Sequence, residues 1–300
     1  MKLTDKIKWR MEFLHKKCKD RNLKVIIWTL LPARSHLAEK IIFSEVLRCP
    51  LIKTEKAGKD DLILDTGLIK FFYPCNLKIS HFAVDYASLI YPYVKKSADE
   101  KIGLLDFFPG DDGPYEKDEV KVGQGDWVID AGANIGMFSL LAAKKTGERG
   151  KVFAFEPVTA TQKLLQRNIE LNGLKNVEIV PFALGEKKGE LSFSIFPESL
   201  ECSSGFFDNE GSREKVNQIT LDEFMEENEI AKIDFIKSDV EGMERNLLMG
   251  ARNTIKKFKP KLAICIYHRP DDPEVLEKMI KDFVPEYKII KGEKKIFAWV

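Results

Sequence analysis

The chain has 300 residues, 44% of them hydrophobic, and a formal net charge of +1. This composition excludes an intrinsically disordered chain, and the length accommodates a large core together with a smaller unit. The longest apolar stretch near the start, residues 25–31, is far shorter than the roughly 20 residues that span a bilayer, so we expect neither a membrane span nor a signal peptide. The five cysteines contain no CxxC pair, which argues against a zinc site or a disulfide framework. We therefore expect a cytoplasmic protein of one or two domains.

Positive and negative charges are distributed unevenly along the chain. Residues 1–60 contain 15 Lys and Arg against 7 Asp and Glu, so the remaining residues carry a net negative charge. A basic segment of this kind is typical of proteins that bind RNA or another polyanion. An ordinary solvated face of a Lys- and Glu-rich protein explains the same pattern. The sequence leaves both interpretations open.

The first 110 residues are predicted to form a small, mainly helical domain. Apolar residues recur at helical spacing in residues 6–19 and 36–47. Residues 62–73 contain two β-prone runs around a turn at Asp65-Thr66-Gly67, which predicts a β-hairpin within this domain. We expect residues 1–110 to recognise the substrate.

Beyond a turn-rich boundary at residues 108–115, the second predicted domain occupies residues 111–300. Short β-rich runs alternate there with helical segments, which is typical of a mostly parallel sheet covered by helices on both faces. The predicted strands are residues 127–129, 151–155, 177–183, 233–237 and 261–267. The predicted helices are residues 135–145, 161–171, 221–228 and 245–256.

Three further segments complete the predicted domain. Residues 191–196 are predicted to form an extra strand that makes a hairpin with the third strand of the sheet. Residues 197–215 are predicted to form a long loop, a candidate lid in which Ser203 and Ser204 contact a substrate. Residues 288–300 are predicted to form a terminal hairpin, so the last strand is antiparallel.

The segment 128–139 has the pattern of a ligand-binding turn. Asp130 ends a strand, a glycine-bearing turn follows, and a helix begins after it. Such a turn lets a ligand approach the backbone closely at the carboxyl edge of the sheet. The dinucleotide pattern GxGxxG is absent, because Asn134 and Met137 occupy the positions where glycines would follow Gly132. A nicotinamide-dependent oxidoreductase is therefore the less favoured class.

A second acidic residue, Glu156, ends the next predicted strand. A carboxylate at that position can accept hydrogen bonds from both hydroxyls of a nucleoside ribose. At the end of the third strand, Ala183 stands between apolar neighbours and either contacts an adenine face or belongs to the core. The pattern indicates a nucleoside-containing ligand.

These motifs resemble those of the FkbM family of S-adenosylmethionine-dependent methyltransferases. The resemblance covers residues 123–268 and rests on residues 125–136, 155–157, Asn168 with Asn172-Gly173, 220–224 and 233–244. It implies a Rossmann-like class I methyltransferase sheet, mostly parallel with an antiparallel last strand, that binds S-adenosylmethionine. It also implies that Glu156 holds the ribose and that the region of Ala183 faces the adenine. The residues at the methionine end would be Asp130, Gly132 and Asn134, with Gly136 and Pro157 completing the cofactor site.

Three residues at the carboxyl ends of the fourth and fifth strands are candidates for the chemistry. Asp239 is the first candidate for a base or an acceptor that orients the substrate, and it is also expected beside the cofactor. Glu241 is the second candidate, although it could instead cap the following helix. His268 is on the same edge of the sheet, where a neutral imidazole with a pKa of roughly 6.5 accepts a proton; the family more often has a carboxylate near this point. Lys237 is expected to be a structural ion-pair partner.

Asp239, Glu241 and His268 could together hold a divalent metal. We expect none, because displacement at a sulfonium requires no metal. Tyr115 and Glu116 either fold over the cofactor as part of the entrance or belong to an ordinary loop surface.

The acceptor is predicted from what the fourth strand lacks. An Asn/Asp-Pro-Pro-Tyr tetrapeptide, the usual arrangement for methylating a planar nitrogen, is absent there, which favours an oxygen acceptor. The leading hypothesis is O-methylation of a hydroxyl on a sugar, glycan or small metabolite. The alternative is methylation of rRNA or tRNA, with residues 1–60 binding the RNA. A non-catalytic binding module would have no need for Asp130, Glu156 and Asp239 together.

Overall fold

The computed structural model describes residues 53–57, 61–74, 115–195 and 212–300. The helices predicted over residues 6–19 and 36–47 lie outside the described residues, as do Ser203 and Ser204. The division into domains 1–110 and 111–300 therefore stays a prediction. None of the helices described here is long and apolar enough to cross a membrane.

The described residues form strands and helices that alternate along most of the chain. The strands are β1 (Lys53–Lys56), β2 (Leu62–Asp65), β3 (Lys70–Tyr73), β4 (Trp127–Ala131), β5 (Lys151–Phe155), β6 (Val177–Val180), β7 (Ala183–Leu184), β8 (Gly189–Ile195), β9 (Ser212–Ile219), β10 (Phe235–Ser238), β11 (Lys261–Cys265), β12 (Lys288–Lys291) and β13 (Lys295–Trp299). The helices are α1 (Met137–Thr146), α2 (Thr159–Leu171), α3 (Leu221–Glu227), α4 (Glu244–Gly250), α5 (Arg252–Phe258) and α6 (Asp272–Phe283).

Seven strands form the central sheet in the order β12-β13-β11-β10-β4-β5-β6. The five strands from β11 to β6 are parallel, whereas β13 pairs antiparallel with both β11 and β12. This arrangement confirms the predicted α/β class, a mostly parallel sheet with an antiparallel last strand. It also brings the carboxyl ends of β5, β4 and β10 together at one edge of the sheet.

The two faces of the sheet are covered by different helices. On one face, Val128 and Ala154 pack with apolar residues of α1, α2 and the β2–β3 hairpin. On the other face, Ile129 and Phe153 pack with α3 to α6. Because successive side chains of a strand point to opposite faces, strands covered on both sides are apolar throughout. This explains why their positions are visible in the sequence.

One predicted helix is interrupted and one observed helix was not predicted. The helix expected over residues 245–256 is two helices, α4 and α5, separated at Ala251. Helix α6 is the one that was not predicted; it carries Pro273 in its first turn and buries Leu276, Ile280 and Phe283. A proline at the start followed by apolar residues at helical spacing is a recognisable helix signal.

The predicted pairing of residues 191–196 with the third strand is wrong. Strand β8 pairs antiparallel with β9, and β9 pairs parallel with β7, which gives a separate three-stranded sheet in the order β7-β9-β8. The predicted loop 197–215 is also wrong over residues 212–215, because these belong to β9. They are Ser, Arg, Glu and Lys, so the first half of this strand has no alternation of apolar and polar residues.

The predicted β-hairpin at residues 62–73 is confirmed, with β2 and β3 antiparallel and β1 added beside β2. Asn168 of α2 connects this hairpin to the turn after β4: its Oδ1 accepts a hydrogen bond from Phe72 N at 2.7 Å, and its Nδ2 donates to Ile135 O at 2.8 Å. Asn172 forms a second connection, accepting from Lys70 N at 2.9 Å. The hairpin and the ligand-binding turn are therefore held by one helix.

Replacing Asn168 by Ala should lower the free energy of unfolding by about 2 kcal/mol, because Phe72 N and Ile135 O are both left without partners. Urea denaturation followed by circular dichroism measures the change. Asn253→Ala, at an exposed position of α5, is the matched control and should change stability by less than about 0.5 kcal/mol. Equal stabilities of the two variants would contradict this role of Asn168.

Candidate active site

A cleft lies over the carboxyl ends of β5, β4 and β10. Its cavity volume is about 210 Å³, and it is partly open to solvent. The predicted site residues that line it are Tyr115, Gly132, Asn134, Glu156, Pro157, Ala183, Asp239 and Glu241.

The turn after β4 requires glycine at position 132. Gly132 has φ +74°, and a Cβ at this position would lie 1.9 Å from the backbone oxygen of Asp239. The amides of Gly132 and Ala133 donate to Phe155 O at 3.1 and 2.9 Å. The turn is thus fastened to β5 on one side and contacts the end of β10 on the other. Backbone without a side chain is therefore exposed at the centre of the cleft.

Asp130 lies beneath the cleft and is absent from its lining. Its Oδ2 accepts a hydrogen bond from Ser139 Oγ at 2.6 Å, and its Oδ1 is 2.9 Å from Lys237 Nζ. The Lys237 ammonium also donates to Gly132 O at 2.7 Å. Burial lowers the pKa of Lys237, but the charges of Asp130 and Asp239 outweigh it and raise the pKa above its ordinary value. Asp130 therefore acts on the cleft through Lys237, which has the structural ion-pair role expected for it.

Gly136 also lies outside the cleft lining. It has φ +96° at the start of α1, and a Cβ there would lie 2.5 Å from Leu165 Cδ1. Gly136 therefore permits the close packing of α1 on α2, and its contribution to the site is indirect.

Glu156 lines the cleft directly after β5. Its Oε2 accepts a hydrogen bond from Asn134 N and its Oε1 from Val158 N, both at 2.9 Å. Burial raises the pKa of this carboxyl group to about 7, although the two hydrogen bonds lower it. Because each oxygen retains a lone pair, the carboxylate can still accept two hydrogen bonds from a ligand.

The wall beside Glu156 is apolar. Ala183 is buried and lines the cleft. Its small side chain leaves room for a planar ring that a bulky side chain at this position would block. Its neighbours in the lining are Val158, Phe182, Leu184 and Phe193. An apolar surface is therefore present near the end of β6, and its contact with an adenine stays a prediction.

Asp239 lies on the opposite side of the cleft and accepts hydrogen bonds from two tyrosine hydroxyls. Tyr115 Oη donates to Oδ2 at 2.5 Å, and Tyr267 Oη donates to Oδ1 at 3.2 Å. Burial raises the pKa of Asp239, but Lys237, His268 and the Tyr115 hydrogen bond outweigh it and lower the pKa below its ordinary value. Asp239 is therefore an ionised hydrogen-bond acceptor facing the cleft.

His268 is not the neutral proton acceptor that the sequence analysis expected. Its side chain is only 4% exposed; Nδ1 is 3.0 Å from Glu244 Oε1, and Nε2 is 3.6 Å from Glu241 Oε2. Burial lowers its pKa, yet the carboxylates of Glu241 and Glu244 raise it to about 10. The imidazole therefore holds its proton at neutral pH, and it does not line the cleft.

Glu241 does not cap the following helix. The residue before α4 is Met243, without a side-chain cap, and the Glu241 carboxylate lines the cleft beside Asp239. Burial raises the pKa of Glu241 above its ordinary value, although the nearby His268 lowers it. Glu241 is therefore available for ligand contact.

Glu116 does not form part of the cleft entrance. Its carboxylate accepts a hydrogen bond from Val122 N at 2.7 Å and forms an ion pair with Lys145 of α1. Tyr115 does line the cleft, so only one of the two predicted entrance residues is found there.

Two residues at the site were missed by the sequence analysis. Tyr267, 44% exposed at the mouth of the cleft, could have been found from its place at the end of a predicted strand. Glu244, which contacts His268, starts a helix, and no local pattern shows which side chain it meets.

Comparisons with known proteins agree with this geometry. The family model for the FkbM methyltransferase domain matches residues 130–289. The chain is 29% identical over 157 residues to the hexuronic acid methyltransferase AglP of Haloferax volcanii, covering 52% of this chain and 62% of that protein. It is 28% identical over 144 residues to Methyltransferase 1 of Beauveria bassiana, covering 41% of this chain and 57% of that protein. The chain thus matches less than two thirds of the length of either relative.

A solved structure is also similar to part of this chain. The crystal structure of the FkbM methyltransferase from Methylobacillus flagellatus KT has a TM-score of 0.46 and 24% identity, over 60% of this chain and 45% of that chain. The assignment depends on the family model, which covers more than half of the sequence. The chain belongs to the FkbM methyltransferase family and carries an S-adenosylmethionine-dependent methyltransferase domain.

Proposed function

We propose that this protein transfers a methyl group from S-adenosylmethionine to a hydroxyl oxygen of a sugar, glycan or small metabolite. The observation that carries the proposal is the arrangement of Glu156 and Asp239 on opposite sides of one cleft. They follow β5 and β10, the two strands that flank β4. One carboxylate can hold a ribose while the other orients an acceptor.

The side of the cleft near Glu156 has the chemistry that S-adenosylmethionine needs. The Glu156 carboxylate can accept hydrogen bonds from both ribose hydroxyls, and the apolar wall around Ala183 suits the adenine. Between the two sides, Gly132 leaves backbone exposed where a side chain would otherwise stand. These residues support binding of the methyl donor on this side of the cleft.

The side near Asp239 has the chemistry that a hydroxyl acceptor needs. S-adenosylmethionine supplies an electrophilic methyl group on a sulfonium, and transfer requires an oxygen in line with it. Oδ1 of Asp239 accepts only a long hydrogen bond from Tyr267, 3.2 Å, so an acceptor hydroxyl can take that place. As the oxygen–carbon bond forms, the hydroxyl proton passes to Asp239. Lys237 keeps this carboxylate ionised beforehand.

Two features support a sugar-like acceptor. Tyr267 presents an exposed ring at the mouth of the cleft together with a hydroxyl that donates to Asp239, a combination of apolar face and polar edge that suits a carbohydrate. In addition, one relative is named as a hexuronic acid methyltransferase.

Methyl transfer to fractionated cell material tests the acceptor class. Purified protein is incubated with S-adenosylmethionine carrying a labelled methyl group and with separate glycan, small-molecule and RNA fractions. We expect label in the glycan or small-molecule fraction. Label in RNA, with transfer that falls steeply as salt increases, would instead support the RNA alternative through residues 1–60.

Asp239→Asn should reduce turnover at least about 100-fold, because the amide keeps the shape of the side chain but cannot accept the proton. Affinity for S-adenosylmethionine, measured by calorimetry, should change far less than turnover, since Glu156 and the apolar wall are untouched. Asp282→Asn, an exposed position of α6, is the matched control with full activity. An Asp239→Asn variant as active as this control would remove Asp239 from the reaction.

Affinity for S-adenosylmethionine should fall as the pH decreases through 7. The pKa of Glu156 is about 7, and only the ionised carboxylate accepts hydrogen bonds from both ribose hydroxyls. Calorimetry between pH 6 and 8 measures the affinity, and the Glu156→Gln variant should bind more weakly with this pH dependence absent. The same pH dependence in Glu156→Gln would assign it to another group.

A further inference from the structure

We propose that Asp239, Glu241 and His268 form a binding site for a divalent cation of the Mg²⁺ or Mn²⁺ type at the acceptor side of the cleft. The evidence for this site is geometric and does not depend on the proposed function. The role of the cation in the reaction does rest on the proposed function.

The three side chains offer one ligand atom each, and these atoms all lie within 4.8 Å of one another. His268 Nε2 is 3.7 Å from Asp239 Oδ1 and 3.6 Å from Glu241 Oε2. Two ligand atoms that each lie about 2.1 Å from one ion are about 3.0 Å apart when the ligand–ion–ligand angle is about 90°, and about 3.6 Å apart when it is about 120°. An ion between them would therefore reach all three with small side-chain adjustments, and the proton on Nε2 would leave to solvent as the ion binds.

His268 gives the second, independent indication of a ligand. Its side chain is 4% exposed, and within the part of the chain that the structure describes Nε2 has no hydrogen-bond partner. Direct charge-assisted hydrogen bonds are about 2.7–2.9 Å long, so the distances to Asp239 and Glu241 leave a gap. A buried polar atom directed into a gap between two carboxylates is the arrangement of a metal ligand.

Glu244 forms an ion pair with the second nitrogen of the imidazole, at the place that an orienting carboxylate takes beside a metal ligand. Its Oε1 is 3.0 Å from Nδ1, the ring nitrogen that faces away from the other two carboxylates. Histidine ligands of metals almost always donate their second nitrogen to such a carboxylate, which fixes the ring and the tautomer. Glu244 is itself buried and accepts a hydrogen bond from Val240 N at 3.0 Å.

The donor set and its position indicate the kind of cation and its use. The two carboxylates, with no thiolate beside them, suit Mg²⁺ or Mn²⁺. Asp239 and Glu241 line the cleft. The coordination positions of a bound ion that no side chain fills would therefore face the acceptor. A cation there would bind the acceptor oxygen and make its hydroxyl easier to deprotonate.

Titration of the full-length protein with Mn²⁺, followed by electron paramagnetic resonance of the free ion, tests the site. We expect one saturable site, weakened at least tenfold by Glu241→Gln and about 10- to 100-fold by Glu244→Gln. Glu190→Gln, an exposed carboxylate on β8, is the matched control and should bind Mn²⁺ as the wild type does. Thermal melting of each variant shows whether its fold is intact, and Glu241→Gln keeps the test decisive if the buried Glu244→Gln fails to fold.

Absence of saturable Mn²⁺ binding by the wild type overturns the cation site, as does unchanged binding by Glu241→Gln. In that case the protonated His268 is the cation of this cluster. Saturable binding that depends on Glu241, found in a protein that methylates no hydroxyl, supports the site and refutes the proposed function instead. The two proposals therefore fail in different ways.

Discussion

The ion pair between Lys237 and Asp130 determines most of the geometry of the cleft. Both side chains are almost fully buried, and Nζ lies 2.9 Å from Oδ1 while also donating to the carbonyls of Ala131 and Gly132. Removing one partner of such a pair leaves an uncompensated buried charge, which costs about 3–5 kcal/mol. Lys237 is on β10 and Asp130 on β4, so the pair connects the adjacent strands just below the cleft. The same ammonium lowers the pKa of Asp239, and one interaction thus shapes the turn and keeps the acceptor-side acid ionised.

The sequence predicted the sheet and the edge at which the site lies, because both depend on local patterns. Buried parallel strands are apolar throughout, and acids placed directly after them meet at one edge of the sheet. Glu156 and Asp239 are found in the cleft for this reason. Asp130 is not, because β4 extends to Ala131, beyond the predicted end at residue 129. Inside the strand, its side chain points to the face covered by α1, where Ser139 lies.

The features that the sequence did not predict depend on contacts between distant segments. The pairing of β9 with β8 joins a polar half-strand to residues about twenty positions earlier, and no alternation marks it. The charge of His268 depends on Glu241 and Glu244 together, and a chain position alone does not show that these carboxylates surround one ring. Local periodicity therefore predicts which elements form, whereas the protonation of a buried group follows only from their packing.

The two sides of the cleft differ in charge. Under the proposed function, this difference affects which form of the cofactor binds more tightly. The side near Glu156 has apolar neighbours and a carboxyl group with a pKa of about 7. The side near Asp239 carries an ionised acid beside Glu241. An ionised carboxylate that faces the cleft favours a positively charged methyl donor over the neutral thioether that remains after transfer. Under the proposed function, the acid that orients the acceptor thus also favours the charged donor over the spent one.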